Sequence, residues 1–296
     1  MSFPNGQIVG PSTHSEIDQF LKEWKPSAQK DAPSGWIWCH LAQATASDDK
    51  GEVEKPAEDR EERQADFEEE GAKLVEKLVQ RCREIKETAP TRAKKGEKSQ
   101  KALRDEEFAN FGTQIKELAQ KYNVLSGKWL FFPSPEFVDQ TWSKIVKALA
   151  DADGVLAQTG VVKTAKVAPI AQNGEAQLIC VYVNDSWNKR AVGRAFNCLV
   201  NDLQLVSSAY KCDAFTILGI DSKHETGIKS SLWTKHEFMK KEEIDAALEK
   251  KPEPSLAKEV KKKTLEEEQQ EGLGDFDDVS DSEDEEPAQK KQKTKK

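Results

Sequence analysis

Val124-Leu125-Ser126-Gly127-Lys128-Trp129-Leu130-Phe131-Phe132, closed by Pro133-Ser134-Pro135, is the stretch from which the fold is read. Its aromatic and branched residues predict a strand, and the prolines stop it. Ser134 is placed to cap the following helix with Pro135 at its first position. That helix would bury Val138, Trp142, Ile145, Val146 and Leu149, which recur at helical spacing. Strands are expected over 161–167 and 177–183, with Asn173-Gly174 turning between them. A third helix, capped by Asp185 or Ser186, carries Val192, Phe196, Leu199, Val200 and Leu203 inward. Strands over 214–220 and 228–238 would close the block around the polar loop 221–227.

Upstream, Thr13 and Glu16 form a T-x-x-E capping box before Ile17, Phe20, Leu21 and Trp24, and Pro26 ends that helix. Residues 36–41 (Trp-Ile-Trp-Cys-His-Leu) read as another strand. Helices mixed with hairpins indicate an α+β fold, a mainly antiparallel sheet backed by helices on one face.

Charge separates this block from the rest. Charged residues are 33% of the 296-residue chain and the hydrophobic set 36%, so a core must be concentrated in part of it. Residues 48–70 carry twelve acids against four bases, and 73–101 ten bases against four acids. An amphipathic helix through Leu74, Val75, Leu78, Val79, Cys82 and Ile85 still runs to Thr88. After a lysine-rich loop, a second helix carries Leu103, Phe108, Phe111, Ile115 and Leu118. The organisation expected is a flexible N-terminus (1–12), the first helix and strand (13–46), a charged helical insertion (47–121), the main α+β block (122–239) and a charged disordered tail (240–296).

Several chemistries are excluded by pattern. Gly127-Lys128 resembles the end of a phosphate loop, but Tyr122 stands where that motif needs glycine and Trp129 replaces the magnesium-binding hydroxyl. His14, His40, His224 and His236 have no metal spacing with each other or with the five cysteines. No nucleophile elbow and no H-E-x-x-H occur. The expectation is a non-enzymatic protein without cofactor or metal. No run approaches a membrane span, and the cysteines suit a reducing nuclear or cytoplasmic setting.

The positive signal is aromatic. Trp36, Trp38, Trp129, Trp142, Trp187 and Trp233 lie in or beside the presumed sheet domain, and rings of this kind stack bases while nearby cations hold phosphates. Trp142 and Trp129 read as core. Trp187 at a helix start, and Trp36 and Trp38, expected on opposite faces of one strand, are the better ligand candidates. Lys128, Lys163, Lys166, Lys189, Arg190, Arg194 and Lys211 could supply such cations, with Lys128, Lys166 and Arg190 the site candidates, although the block as a whole is nearly balanced in charge. In the tail, Ser280 and Ser282 have acids three positions downstream, the arrangement favoured by acid-directed kinases. Lys290, Lys291, Lys293, Lys295 and Lys296 fit a nuclear-import patch.

Glu16-Ile17-Asp18 with Phe20-Leu21, Gly35-Trp36-Ile37, Val124 to Leu130, Ala165-Lys166-Val167 with Pro169, Ile179-Cys180-Val181-Tyr182 and Leu218-Gly219-Ile220 together resemble an uncharacterised eukaryotic family that includes the basophilic leukaemia expressed protein. The resemblance covers 16–41 and 122–239, without the charged helices or the tail. That family looks like the fold of the cap-binding translation initiation factor 4E, which implies a curved sheet backed by helices. It implies no activity. The factor's tryptophan–acid pair has no counterpart before Lys128, whereas Lys166 lies in the strand where the factor places a phosphate-contacting base. These readings point to a binder of RNA or a nucleotide, cap-like or not. The alternative is a nuclear interaction scaffold, recruiting proteins through the charged helices and a phosphorylated tail.

Overall fold

Residues two apart along a strand share a face, so a strand packed on one side alternates between core and surrounding positions. The computed structural model describes residues 6–10, 12–29, 35–41, 57–93, 96–151, 156, 162–169 and 176–249, without the side chains of 57–60 and 163. Within them six strands form one mixed sheet: β1 (Gln7–Val9), β2 (Ile37–His40), β3 (Gly127–Phe131), β4 (Val162–Val167), β5 (Ile179–Val183) and β6 (Ala209–Cys212). Their order across the sheet is β1-β2-β4-β5-β3-β6, antiparallel throughout except for the β1–β2 pair. Ile37, Cys39, Trp129, Phe131, Ala165, Val167, Ile179, Val181, Val183 and Tyr210 make the buried face.

Seven α-helices accompany the sheet among the described residues: α1 (His14–Glu23), α2 (Ala57–Thr88), α3 (Gln100–Tyr122), α4 (Val138–Ala150), α5 (Lys189–Asn201), α6 (Asp213–Ile217) and α7 (Lys241–Glu249). α1, α4, α5 and α7 join the buried sheet face in one apolar cluster. Trp129 is fully buried there, its ring centroid 4.7 Å from Phe196, 5.0 Å from Tyr210 and 5.8 Å from Phe238. Its indole N–H donates to the Val192 carbonyl at 3.3 Å, so the polar edge of the ring is satisfied. The α2–α3 hairpin builds a second cluster through Phe67, Leu78, Phe111, Ile115 and Leu118, closed by Cys212, Phe215, Ile220 and Ile228. The charged helices therefore have an apolar seam against the β6–α6 corner, although their outer faces are exposed.

The mixed α+β architecture agrees with the sequence reading, and several local assignments do not. Residues 214–220 form no strand. Asp213 opens α6, and Gly219, at φ +69°, ends it. The Ile220 N–H then donates to the Phe215 carbonyl at 2.9 Å and the Gly219 N–H to that of Thr216 at 3.3 Å. These are the paired bonds of a Schellman cap, and they override the strand preference of Phe215, Thr216 and Ile217. The segment 228–238 has one bridge, Tyr210 to Trp233, and a short 3-10 turn, Lys235–Glu237. α4 begins at Val138, with the Ser134 carbonyl rather than its hydroxyl receiving the first N–H groups. Asn188, not Asp185 or Ser186, caps α5. β1 and α7 lie in stretches expected to be flexible; Ile8 is buried beside β2, and Ile244, Ala247 and Leu248 enter the main core. Asn173-Gly174 lies outside the described residues, as do Ser280, Ser282 and the lysines from Lys290 to Lys296.

Gly127 is where β3 passes closest to its neighbours. A Cβ there would run into Ser186 Oγ, lie 2.6 Å from the Tyr210 hydroxyl and 2.9 Å from the Lys211 carbonyl oxygen. Ser186 and Tyr210 are both buried and bonded to each other at 3.2 Å, so neither can withdraw freely. Gly127→Ala is expected to destabilise the protein by about 1–3 kcal/mol, the usual range for overpacking, measured by chemical denaturation. A variant as stable as the parent would contradict this packing.

A candidate aromatic and cationic ligand site on the sheet

The strand positions that do not enter the main core fall into two rows across the sheet. One runs Trp38, Lys166, Cys180, Leu130, Ala209; the other runs His40, Thr164, Tyr182, Lys128, Lys211. Both follow from register: once Val167, Val181 and Trp129 are fixed inward, the adjacent positions must face the opposite way. Trp36, Trp38 and Tyr182 are half-buried and belong to neither apolar cluster. Large rings outside any core need another physical reason for being held in place.

Lys166 supplies one. Its ammonium stands 4.0 Å from the Trp36 ring centroid, 4.8 Å from that of Trp38 and 5.6 Å from that of Tyr182. The Trp38 and Tyr182 rings are 6.4 Å apart and within 19° of parallel, leaning over Lys166 from the strands on either side. Cation–π attraction at such distances contributes roughly 0.5–2 kcal/mol depending on desolvation. Trp36 and Trp38, expected on opposite faces, share one face, as residues two apart on a strand do.

The neighbouring cation is differently placed. Lys128 Nζ donates to Asp213 Oδ1 at 2.6 Å and to Thr216 Oγ1 at 3.3 Å. The other oxygen of Asp213 accepts from the Ser126 hydroxyl. Only 11% of the Lys128 side chain and 20% of that of Asp213 are exposed, so this pair is shielded and largely neutral as a unit. Lys166, by contrast, takes part in no ion pair among the described residues. Burial holds its pKa below the ordinary lysine value; Lys128 lowers it further, while Cys180 and Asp213 act in the other direction. Burial also raises Tyr182 well above the usual phenol range and pushes the Cys180 thiol up to about 11.

Of the six residues expected at a ligand site, the structure brings Trp36, Trp38 and Lys166 together and sets Lys128 beside them, 5.7 Å from the Tyr182 ring. Trp187 and Arg190 are elsewhere. Trp187 packs with the second apolar cluster and donates its backbone N–H to Asp185. Arg190 is exposed in the first turn of α5, a helix that covers the other face of the sheet. Tyr182 and Asp213 are the participants that the sequence reading missed. Alternation with buried Val181 and Val183 was the available signal for Tyr182; nothing local marks Asp213, which closes on Lys128 from the far end of β6. Among the described residues no group of three or more His, Cys, Asp or Glu side chains is placed to hold a metal ion.

Because the folded pKa of Lys166 lies below its unfolded value, the unfolded chain binds that proton more tightly. The resulting penalty on the native state is present at neutral pH and lifts as pH rises from the folded toward the unfolded pKa. In an NMR titration of lysine side chains, the Lys166 signal is expected to titrate below those of exposed lysines and to vanish in Lys166→Arg. Titration together with the exposed lysines would contradict the enclosure described.

The model of one protein family, basophilic leukemia-expressed protein Bles03, matches residues 4–219. The match runs through the α2–α3 hairpin, which the sequence resemblance had left outside.

Proposed function

We propose that this chain, which belongs to the family of the basophilic leukemia-expressed protein Bles03, is a non-enzymatic binding protein that takes RNA or a nucleotide on the Trp36–Trp38–Tyr182 face of its sheet. The observation carrying this reading is the convergence of three half-buried rings on Lys166, a cation without an ion pair among the described residues. Rings outside a core offer π-faces to bases, and a cation between them offers its charge to a phosphate. Among the described residues no carboxylate is paired with Lys166.

The absence of catalysis belongs to the same proposal. The thiol on this face, Cys180, is buried, and a pKa near 11 leaves almost no thiolate at neutral pH. The Ser126 hydroxyl is tied to a carboxylate already neutralised by Lys128. The arrangement suits a planar base beside a phosphate and supplies no activated nucleophile.

Tryptophan fluorescence titrated with nucleotides, cap analogues and short RNA at two salt concentrations tests this. Quenching is expected, and Trp36→Ala or Trp38→Ala should weaken binding by about 1–3 kcal/mol, the worth of one base stacked on a ring. Lys166→Ala should also flatten the dependence of log affinity on log salt by roughly one unit. Quenching by none of these ligands would refute the proposal.

A further inference from the structure

Resting on that reading, we infer that the face takes a single strand of several nucleotides rather than a lone nucleotide, with Lys211 holding a phosphate at its far end. Lys211 lies directly across the β3–β6 ladder from Lys128 and closes the row His40, Thr164, Tyr182, Lys128, Lys211. It is half-buried and forms no ion pair among the described residues. Asp213, the nearest acid along the chain, is already engaged by Lys128 and Ser126. Among the described residues, Lys166 near one side of the face and Lys211 at the other are cations without a carboxylate partner.

Their separation sets the ligand's length. From β4 to β6 there are three strand spacings, and Lys211 is offset from the Lys166 row by two residues. At about 4.8 Å per spacing and about 3.3 Å per residue, the two Cα atoms lie roughly 16 Å apart. The Lys166 ammonium is held against Trp36 and Trp38, on the side of β4 away from β6, so one phosphate does not serve both lysines. A stacked strand rises about 3.4 Å per nucleotide and a splayed one more, so three to five nucleotides cross this distance. Between the strands of the two cations stand Tyr182 on β5 and the shielded, largely neutral Lys128–Asp213 pair on β3, so neither adds a competing charge on the way. Only unpaired bases can reach the rings, which excludes a duplex.

The test measures affinity for oligouridylates and oligoadenylates of one to eight nucleotides by anisotropy. Affinity is expected to rise at least tenfold between one nucleotide and the three-to-five range, then level off. Lys211→Gln, checked for intact structure by circular dichroism, should weaken the pentanucleotide several-fold and the mononucleotide less, and lower the salt dependence of the pentanucleotide. Equal affinity for one and five nucleotides, with Lys211→Gln without effect on either, overturns this inference and leaves the nucleotide site standing. A hexaglutamate peptide that competes as well as the pentanucleotide also overturns it, since charge alone would then account for binding. No binding at any length removes both readings.

Discussion

Burial of Trp129 is the constraint on which the rest of the structure depends. Its ring fills the space between α5, β6 and the 3-10 turn, against Phe196, Tyr210 and Phe238. With Trp129 inward, Lys128 and Leu130 must face outward, and β3 passes that assignment to β5 and β6 through its hydrogen-bonded register. β5 passes it to β4, and β4 to β2. A one-residue slip of β3 would bury Lys128 and expel Trp129, a cost no local contact could offset. The chemical character of the outer face is thus a consequence of how the inner face packs.

Electrostatics then distinguishes two lysines that sequence alone treats alike. Asp213 arrives at Lys128 because α6 starts where β6 ends, and the pair becomes a shielded, nearly neutral element. Lys166 is enclosed by rings instead, which favour its charge through their quadrupoles but supply no counter-ion. Desolvation without a carboxylate partner holds the Lys166 pKa below the ordinary lysine value. Under the proposed function a ligand phosphate would supply Lys166 with the missing counter-ion, whereas at Lys128 it would first have to displace Asp213.

How much of this was legible in the sequence follows from range. β3 and α4 were readable because Pro133 and Pro135 punctuate them and Trp142, Ile145, Val146 and Leu149 keep a helical period. The strand preference of 214–220 misled because a glycine cap, not propensity, decides where α6 ends. α7 was missed because Ile244, Ala247 and Leu248 sit among acids and lysines that resemble the tail. Trp36, Trp38 and Lys166 could be singled out by residue type, but their meeting requires β2 to pair with β4, a register between segments far apart in the chain. Tyr182 and Asp213 join them only through the next ladders, so no local pattern could have grouped the five.

The most direct measurement is an NMR titration of the seven indole N–H signals, assigned by single substitution, with a short single-stranded RNA. The account predicts that the Trp36 and Trp38 signals shift in step with Lys166, while those of buried Trp129 and Trp142 stay in place. Shifts confined to Trp187 and Trp233, with Trp36 and Trp38 unmoved, would contradict it.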